Sequence, residues 1–74
     1  MRADLRALLQ RIAEGERRFL HPTDDLVENL HVLEAYGWIR NLVTKRSDME
    51  AGHPWYLATA RLTDEGREAL GEEA

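Results

Sequence analysis

Cysteine is absent from all 74 residues, which excludes a disulfide framework and any thiolate metal site. A chain of this length makes one domain, near the size at which a single core barely suffices. Stability must therefore come from apolar burial, with self-association the remaining source. No uninterrupted apolar run approaches the roughly 18 residues needed to span a bilayer, so no membrane partner is expected. Met1-Arg2-Ala3-Asp4 leads directly into an amphipathic pattern without the apolar stretch of a secretory signal, and we expect a cytoplasmic protein. Repeats, low-complexity segments and internal linkers are also missing. The expected layout is a single domain over residues 1–70 followed by an acidic tail, 71–74.

The groups needed for catalysis are equally sparse. His21, His31 and His53 are dispersed, with no metal-ligand spacing among them. No glycine loop is built to cradle phosphate, and Ser47 has no evident activating partner. We expect neither an enzyme nor a bound cofactor or metal.

What is present is a folded composition, 43% hydrophobic and 32% charged. The net charge of −4 hides a strong banding. Residues 1–18 carry five basic and three acidic side chains, and residues 19–39 carry four acidic ones with no lysine or arginine. Residues 40–62 carry four basic and two acidic, and residues 63–74 one basic and five acidic. Partner choice follows such bands more than the total.

Leu5, Leu8, Leu9 and Ile12 recur at helical spacing and predict an amphipathic helix over 3–14 that stops at Gly15. Arg18-Phe19-Leu20 is a candidate short strand before the turn at His21-Pro22. Thr23 is a good N-cap, and Asp24 and Asp25 lie where the helix dipole favours negative charge. Leu26, Leu30 and Leu33 form the core stripe of the helix that follows, which Gly37 ends. Val27, Val32, Ala35 and Tyr36 fall outside that stripe, so the helix is expected to be covered on more than one side. Residues 38–45 are rich in β-formers and predict a strand. Residues 46–53 and Pro54 form a loop. Residues 55–62 return as a second strand, and Thr63 caps a last helix, 64–70. With Leu62 inward, alternation sends Ala60, Ala58 and Tyr56 inward and Trp55 outward.

Two segments, Leu30-His31-Val32-Leu33-Glu34-Ala35-Tyr36-Gly37-Trp38-Ile39 and Arg61-Leu62-Thr63-Asp64-Glu65-Gly66-Arg67-Glu68-Ala69-Leu70, carry a resemblance. They are similar to parts of winged-helix transcriptional regulators of the multiple-antibiotic-resistance and phenolic-acid-repressor types. There a Leu-x-x-Leu-Glu-x-x-Gly-hydrophobic-Ile helix end is followed by a wing and a Leu-Thr-x-x-Gly junction. The matching residues are Leu30, Leu33, Glu34, Gly37, Trp38 and Ile39, then Leu62, Thr63 and Gly66. Nearly the full length also resembles an uncharacterised family of small bacterial and phage proteins, through Arg2, Asp4, Arg61, Leu62, Thr63, Gly66, Glu68 and Leu70. Asp64 departs from that second pattern, which leads us to expect tryptophan, and this likeness implies no known activity. The first implies a small α+β winged-helix-like domain ordered helix, short strand, helix, strand, wing, strand, helix. It also implies a DNA-binding regulator. The eight residues from Gly15 to Pro22 leave hardly any room for the further helix of a standard winged helix, so that second helix is reduced or missing. All the matching residues are caps, a turn glycine or core leucines, and argue for fold alone.

The resemblance places helix 23–36 in a major groove and the wing on the backbone or minor groove. Yet Asp24, Glu28, His31 and Ala35 lie opposite the leucine stripe, and affinity for DNA comes largely from cations meeting phosphates. A carboxylate beside a phosphate costs about 1 kcal/mol even in water. Asn29 lies nearer the core stripe and is a poor base reader. The candidate DNA contacts are therefore Arg40, Lys45 and Arg46 of the wing region, with Arg17 and Arg18 as auxiliaries. The bland alternative is that these are solvated surface charges. A second functional reading is a protein-interaction or dimerisation module that has lost DNA recognition. It would dock Trp55 and the face bearing Asp24, Glu28, His31 and Val32 on a partner or a second copy. If so, Trp55→Ala weakens association by about 2 kcal/mol without unfolding the monomer. Light scattering or pull-down indifferent to Trp55 removes that residue from the interface.

Overall fold

The computed structural model describes residues 2–46 and 55–73, the side chains of residues 55, 72 and 73 excepted. It is an α+β fold of three helices and a three-stranded antiparallel sheet, in the order α1 (Ala3–Ala13), β1 (Arg18–Leu20), α2 (Asp24–Ala35), β2 (Ile39–Arg46), β3 (Trp55–Leu62) and α3 (Asp64–Glu73). Arg46, expected to open the loop between the two long strands, instead ends β2; the rest of that loop, Ser47 and His53 included, lies outside the described residues.

The helices form where the apolar spacing places them, and their ends are set by specific caps. Thr23 accepts the Leu26 N–H at 3.1 Å and so satisfies one of the orphan donors of α2. At the other end the Gly37 N–H donates to the Glu34 carbonyl and the Trp38 N–H to the Leu33 carbonyl, at 2.9 and 3.1 Å. The same doubled pattern closes α1, from Gly15 to Ile12 and from Glu16 to Arg11. Both are Schellman closures, which require a left-handed residue, and Gly15 (φ 113°) and Gly37 (φ 79°) supply it without Cβ strain. Only His21, Pro22 and Thr23 separate β1 from α2, so no helix intervenes there. The last helix runs to Glu73, beyond the expected end at residue 70. Gly71 does not stop it because it takes no left-handed φ.

The sheet order is β1-β3-β2. Phe19 stands opposite Ala58, and Ile39 opposite Leu62. Leu9, Leu30, Leu33 and Ile39 are the largest fully buried side chains, joined by Leu5, Leu8, Ile12 and Phe19. Truncating any of these leucines to alanine costs about 2–5 kcal/mol, a large part of the margin of so small a domain. Ala58 and Ala60 face inward on β3, and their small size lets α1 and α2 close on the sheet. Of the four apolar residues outside the leucine stripe, Val27 is buried and Val32 half-buried against the core, while Ala35 and Tyr36 are exposed. Tyr56 corrects the expected burial. It has the inward parity but is 52% exposed, beyond the reach of the core, and meets His21 edge-on at 5.8 Å between ring centroids.

One irregularity shapes the outer face. Arg40 pairs with Arg61 and Val43 with Thr59, so Asn41 and Leu42 together oppose the single residue Ala60. Asn41 takes φ 58°, a left-handed conformation that asparagine tolerates better than most residues. The extra residue shifts the alternation, so that Arg40 and Lys45, five apart, point to the same side of the sheet.

Thr63 and Gly66 join the two halves of the chain. The Thr63 hydroxyl donates to the Gly37 carbonyl at 2.7 Å and accepts from the Gly66 N–H at 3.0 Å, while the Thr63 N–H donates to the Trp38 carbonyl at 3.0 Å. A Cβ on Gly66 would collide with the Trp38 carbonyl oxygen and lie 2.9 Å from Leu62 Cδ1. Helix propensity alone would make Gly66→Ala stabilising by about 1 kcal/mol. We expect the collision to win, with a net loss of about 1–3 kcal/mol. Gly71→Ala meets nothing within 4 Å and stays helical, so it gains up to about 1 kcal/mol. Urea denaturation of the two variants reads both signs, and a stable Gly66→Ala protein would contradict the close approach.

Candidate nucleic-acid interface

Charge in this fold is sorted by layer. The three strands carry Arg18, Arg40, Lys45, Arg46 and Arg61 and no acidic residue. Helix α2 carries Asp24, Asp25, Glu28 and Glu34 with no lysine or arginine. Helix α3 sets Arg67 among five carboxylates. The register puts Arg18, Arg40, Lys45 and Arg61 on the outer face of the sheet, around Leu20, Val43 and Leu57. That face is open: Leu20 is 67% and Val43 46% exposed.

At one end of the sheet the basic residues converge. Arg17 precedes β1, Arg40 opens β2, Arg61 lies near the end of β3 and Arg67 lies on α3. All four line a cleft of about 210 Å³ beneath the C-terminal turn of α1, with Ile12 and Leu62 as apolar wall. A shallower depression of about 190 Å³ adjoins it, where Arg17 and Arg61 are joined by Arg18 and Asn41. Among the described residues, none of Arg17, Arg18, Arg40, Arg61 and Arg67 forms an ion pair.

Arg11 and Arg2 are engaged elsewhere, and Arg6, half-buried on α1, has an Nε without a hydrogen-bond partner among the described residues. Arg11 donates two hydrogen bonds to the Glu16 carboxylate, both 2.8 Å, and lies 5.0 Å above the Phe19 ring. The hydrogen bonds, with a Coulombic contribution, hold Glu16 below the usual carboxylate range and raise Arg11. Arg2 lies 3.4 Å from Asp4 and donates to the Asn29 side chain at 3.2 Å. Asn29 is thus tied to the start of α1 and not presented to a ligand.

The sequence-predicted DNA contacts divide accordingly. Arg17, Arg18 and Arg40 are brought together, Lys45 lies further along the same face, and Arg46 sits at the end of β2 opposite Trp55, after a second register shift. Sequence reasoning missed Arg61 and Arg67. Position 61 enters the sequence reading through the two resemblances and the basic band of residues 40–62, although its parity opposite to that of Leu62 already sets it on the outer face. Arg67 reaches the cleft only because α3 folds back against α1.

The predicted protein-interface residues lie elsewhere. Asp24, Glu28 and His31 are exposed on α2, while Val32 is half-buried against the core and offers little surface. The proposal for the Trp55 side chain falls outside the described residues. Tyr36, 61% exposed at the end of α2, stacks on Trp38 with ring centroids 4.5 Å apart and planes 13° from parallel. Among the described residues no group of three or more His, Asp or Glu side chains could hold a metal ion, and no helix is long and apolar enough to cross a membrane.

No family model, curated protein or solved structure matches the chain.

Arg40 directly opposite Arg61 is a like-charge cross-strand pair, which weakens a sheet. Replacing Arg61 by glutamate turns it into an attractive pair. We expect Arg61→Glu to raise stability by about 0.5 kcal/mol, read as a shift of the urea midpoint at unchanged slope. A destabilised variant would mean that the guanidinium packs against the fold instead of facing outward.

Proposed function

We propose that the protein is a winged-helix-like DNA-binding regulator that holds duplex DNA by its phosphates, through the outer sheet face and the β2–β3 hairpin. The sheet order β1-β3-β2 and the placement of α1 and α2 on a single face support the winged-helix comparison, in a form without the second helix. The observation that carries the function is the sorting of charge: strands with five basic and no acidic residue, beside an α2 with four acidic and none basic. Guanidinium and ammonium groups on the open face neutralise phosphates and release counterions. Asp24 and Glu28 repel phosphates, so α2 faces away from the duplex in this arrangement. With most contacts to the backbone, binding is strong at low salt and weakly sequence-selective.

A second reading keeps α2 as the working surface. The exposed acidic face and the Tyr36–Trp38 stack favour a basic protein partner, or a second copy with a basic surface, over a nucleic acid.

Fluorescence anisotropy with random-sequence duplex DNA separates them. If the five strand cations each meet a phosphate, log affinity falls with log salt at a slope of about −4.5, a loss of several hundredfold between about 50 and 200 mM. Lys45→Glu with Arg46→Glu lowers affinity and makes the slope shallower by about 2. Glu28→Gln changes affinity by less than about twofold, because α2 and the bound phosphates lie on opposite sides of the sheet. Absence of binding at low salt removes the DNA reading. Tighter binding by Glu28→Gln alone would place the helix, not the sheet, against the duplex.

A further inference from the structure

Duplex binding on the outer face uses the strand cations one phosphate at a time, and does not account for the recess that Arg40 and Arg61 form with Arg17 and Arg67. Arg17, Arg40, Arg61 and Arg67 come from four parts of the chain and line one recess of about 210 Å³. Among the described residues no carboxylate lines it. That is unexpected in a chain with 14 acidic residues and a net charge of −4. Of the carboxylates adjacent in sequence to the lining, Glu14, Glu16 and Glu68, none lines the cleft, and Glu16 is held by both hydrogen bonds from Arg11. Gathering unpaired cations opposes folding, and the direct opposition of Arg40 and Arg61 adds to that repulsion. A multiply charged anion relieves it. Arginine supplies nine of the ten basic residues of the chain, and its planar fork suits the paired oxygens of a phosphoryl group better than lysine does.

We propose that this cleft binds a phosphoryl group of more than one negative charge, a phosphate monoester or pyrophosphate. An internal phosphodiester of DNA carries one charge and would leave most of the cleft's positive charge unmatched. A terminal phosphate carries nearly two, and a pyrophosphate carries more. The ligand is the phosphorylated end of a nucleic-acid strand or a small phosphorylated molecule; the chemistry recognised is the same. The site does not depend on duplex binding by the hairpin.

The test is isothermal titration of the full chain with inorganic pyrophosphate at low salt, followed by anisotropy with 5′-phosphorylated and 5′-hydroxyl oligonucleotides. We expect saturable one-site binding of pyrophosphate, weakened about tenfold or more by Arg61→Glu and by Arg67→Ala. Urea denaturation of both variants shows that the loss is not unfolding, and Arg61→Glu is expected to be at least as stable as the parent protein. Preference for the 5′-phosphorylated strand assigns the cleft to a strand end. Equal affinity for the two strands, with pyrophosphate still bound, assigns it to a small phosphorylated ligand. Lys45→Glu with Arg46→Glu weakens duplex binding while pyrophosphate binding persists, so the two readings fail separately. Absence of saturable pyrophosphate binding, or binding indifferent to both cleft variants, overturns the proposal.

Discussion

The hydroxyl of Thr63 holds the architecture together at its tightest point. It donates to the carbonyl of Gly37, just past the end of α2, and accepts from the N–H of Gly66 in the first turn of α3. The backbone adds a second tie, from the Thr63 N–H to the Trp38 carbonyl. One residue thereby caps α3 and fastens it to the turn between α2 and β2. Gly66 has to lack a side chain because the Trp38 carbonyl already occupies the space. The pairing of Ile39 with Leu62 follows directly beside this joint, and Arg40 with Arg61 is the next pair along. The arginine cleft therefore lies beside the most constrained stretch of backbone in the described residues.

Away from that joint, the division of labour between layers explains how an acidic protein offers a basic surface. Carboxylates collect on α2 and α3, both of which begin with acidic first turns that favour their helix dipoles. The strands collect the cations. The bulge at Asn41 then completes the face by rotating Lys45 to the side of Arg40. A total charge of −4 conceals this arrangement, and the field at the sheet surface is set by what lies nearest.

Much of the secondary structure could be read from the chain. The leucine spacings of α1 and α2, the cap at Thr23 and the glycines at positions 15 and 37 are local features with local consequences, and every element but α3 falls within a residue or so of its expected bounds. The end of α3 and the exposure of Tyr56 could not be read. The first depends on whether Gly71 adopts a left-handed conformation, which its neighbours alone do not dictate. The second depends on how far the helices extend over the sheet. Of the basic cluster, Arg17, Arg18 and Arg40 were legible as isolated charges near strands, without any sign that they share a recess.

The sequence by itself determined the order of the elements, their caps, the leucine core and the banding of charge, because each is a relation between residues a few positions apart. Only the tertiary structure decided which charges meet. Arg17, Arg40, Arg61 and Arg67 are spread over fifty positions and share a cleft because the central strand is β3 and α3 returns to α1. The side of the sheet that Lys45 takes depends on one left-handed asparagine. Such features arise from pairing register and long-range packing, which balance over the whole core and leave no periodic trace in the chain.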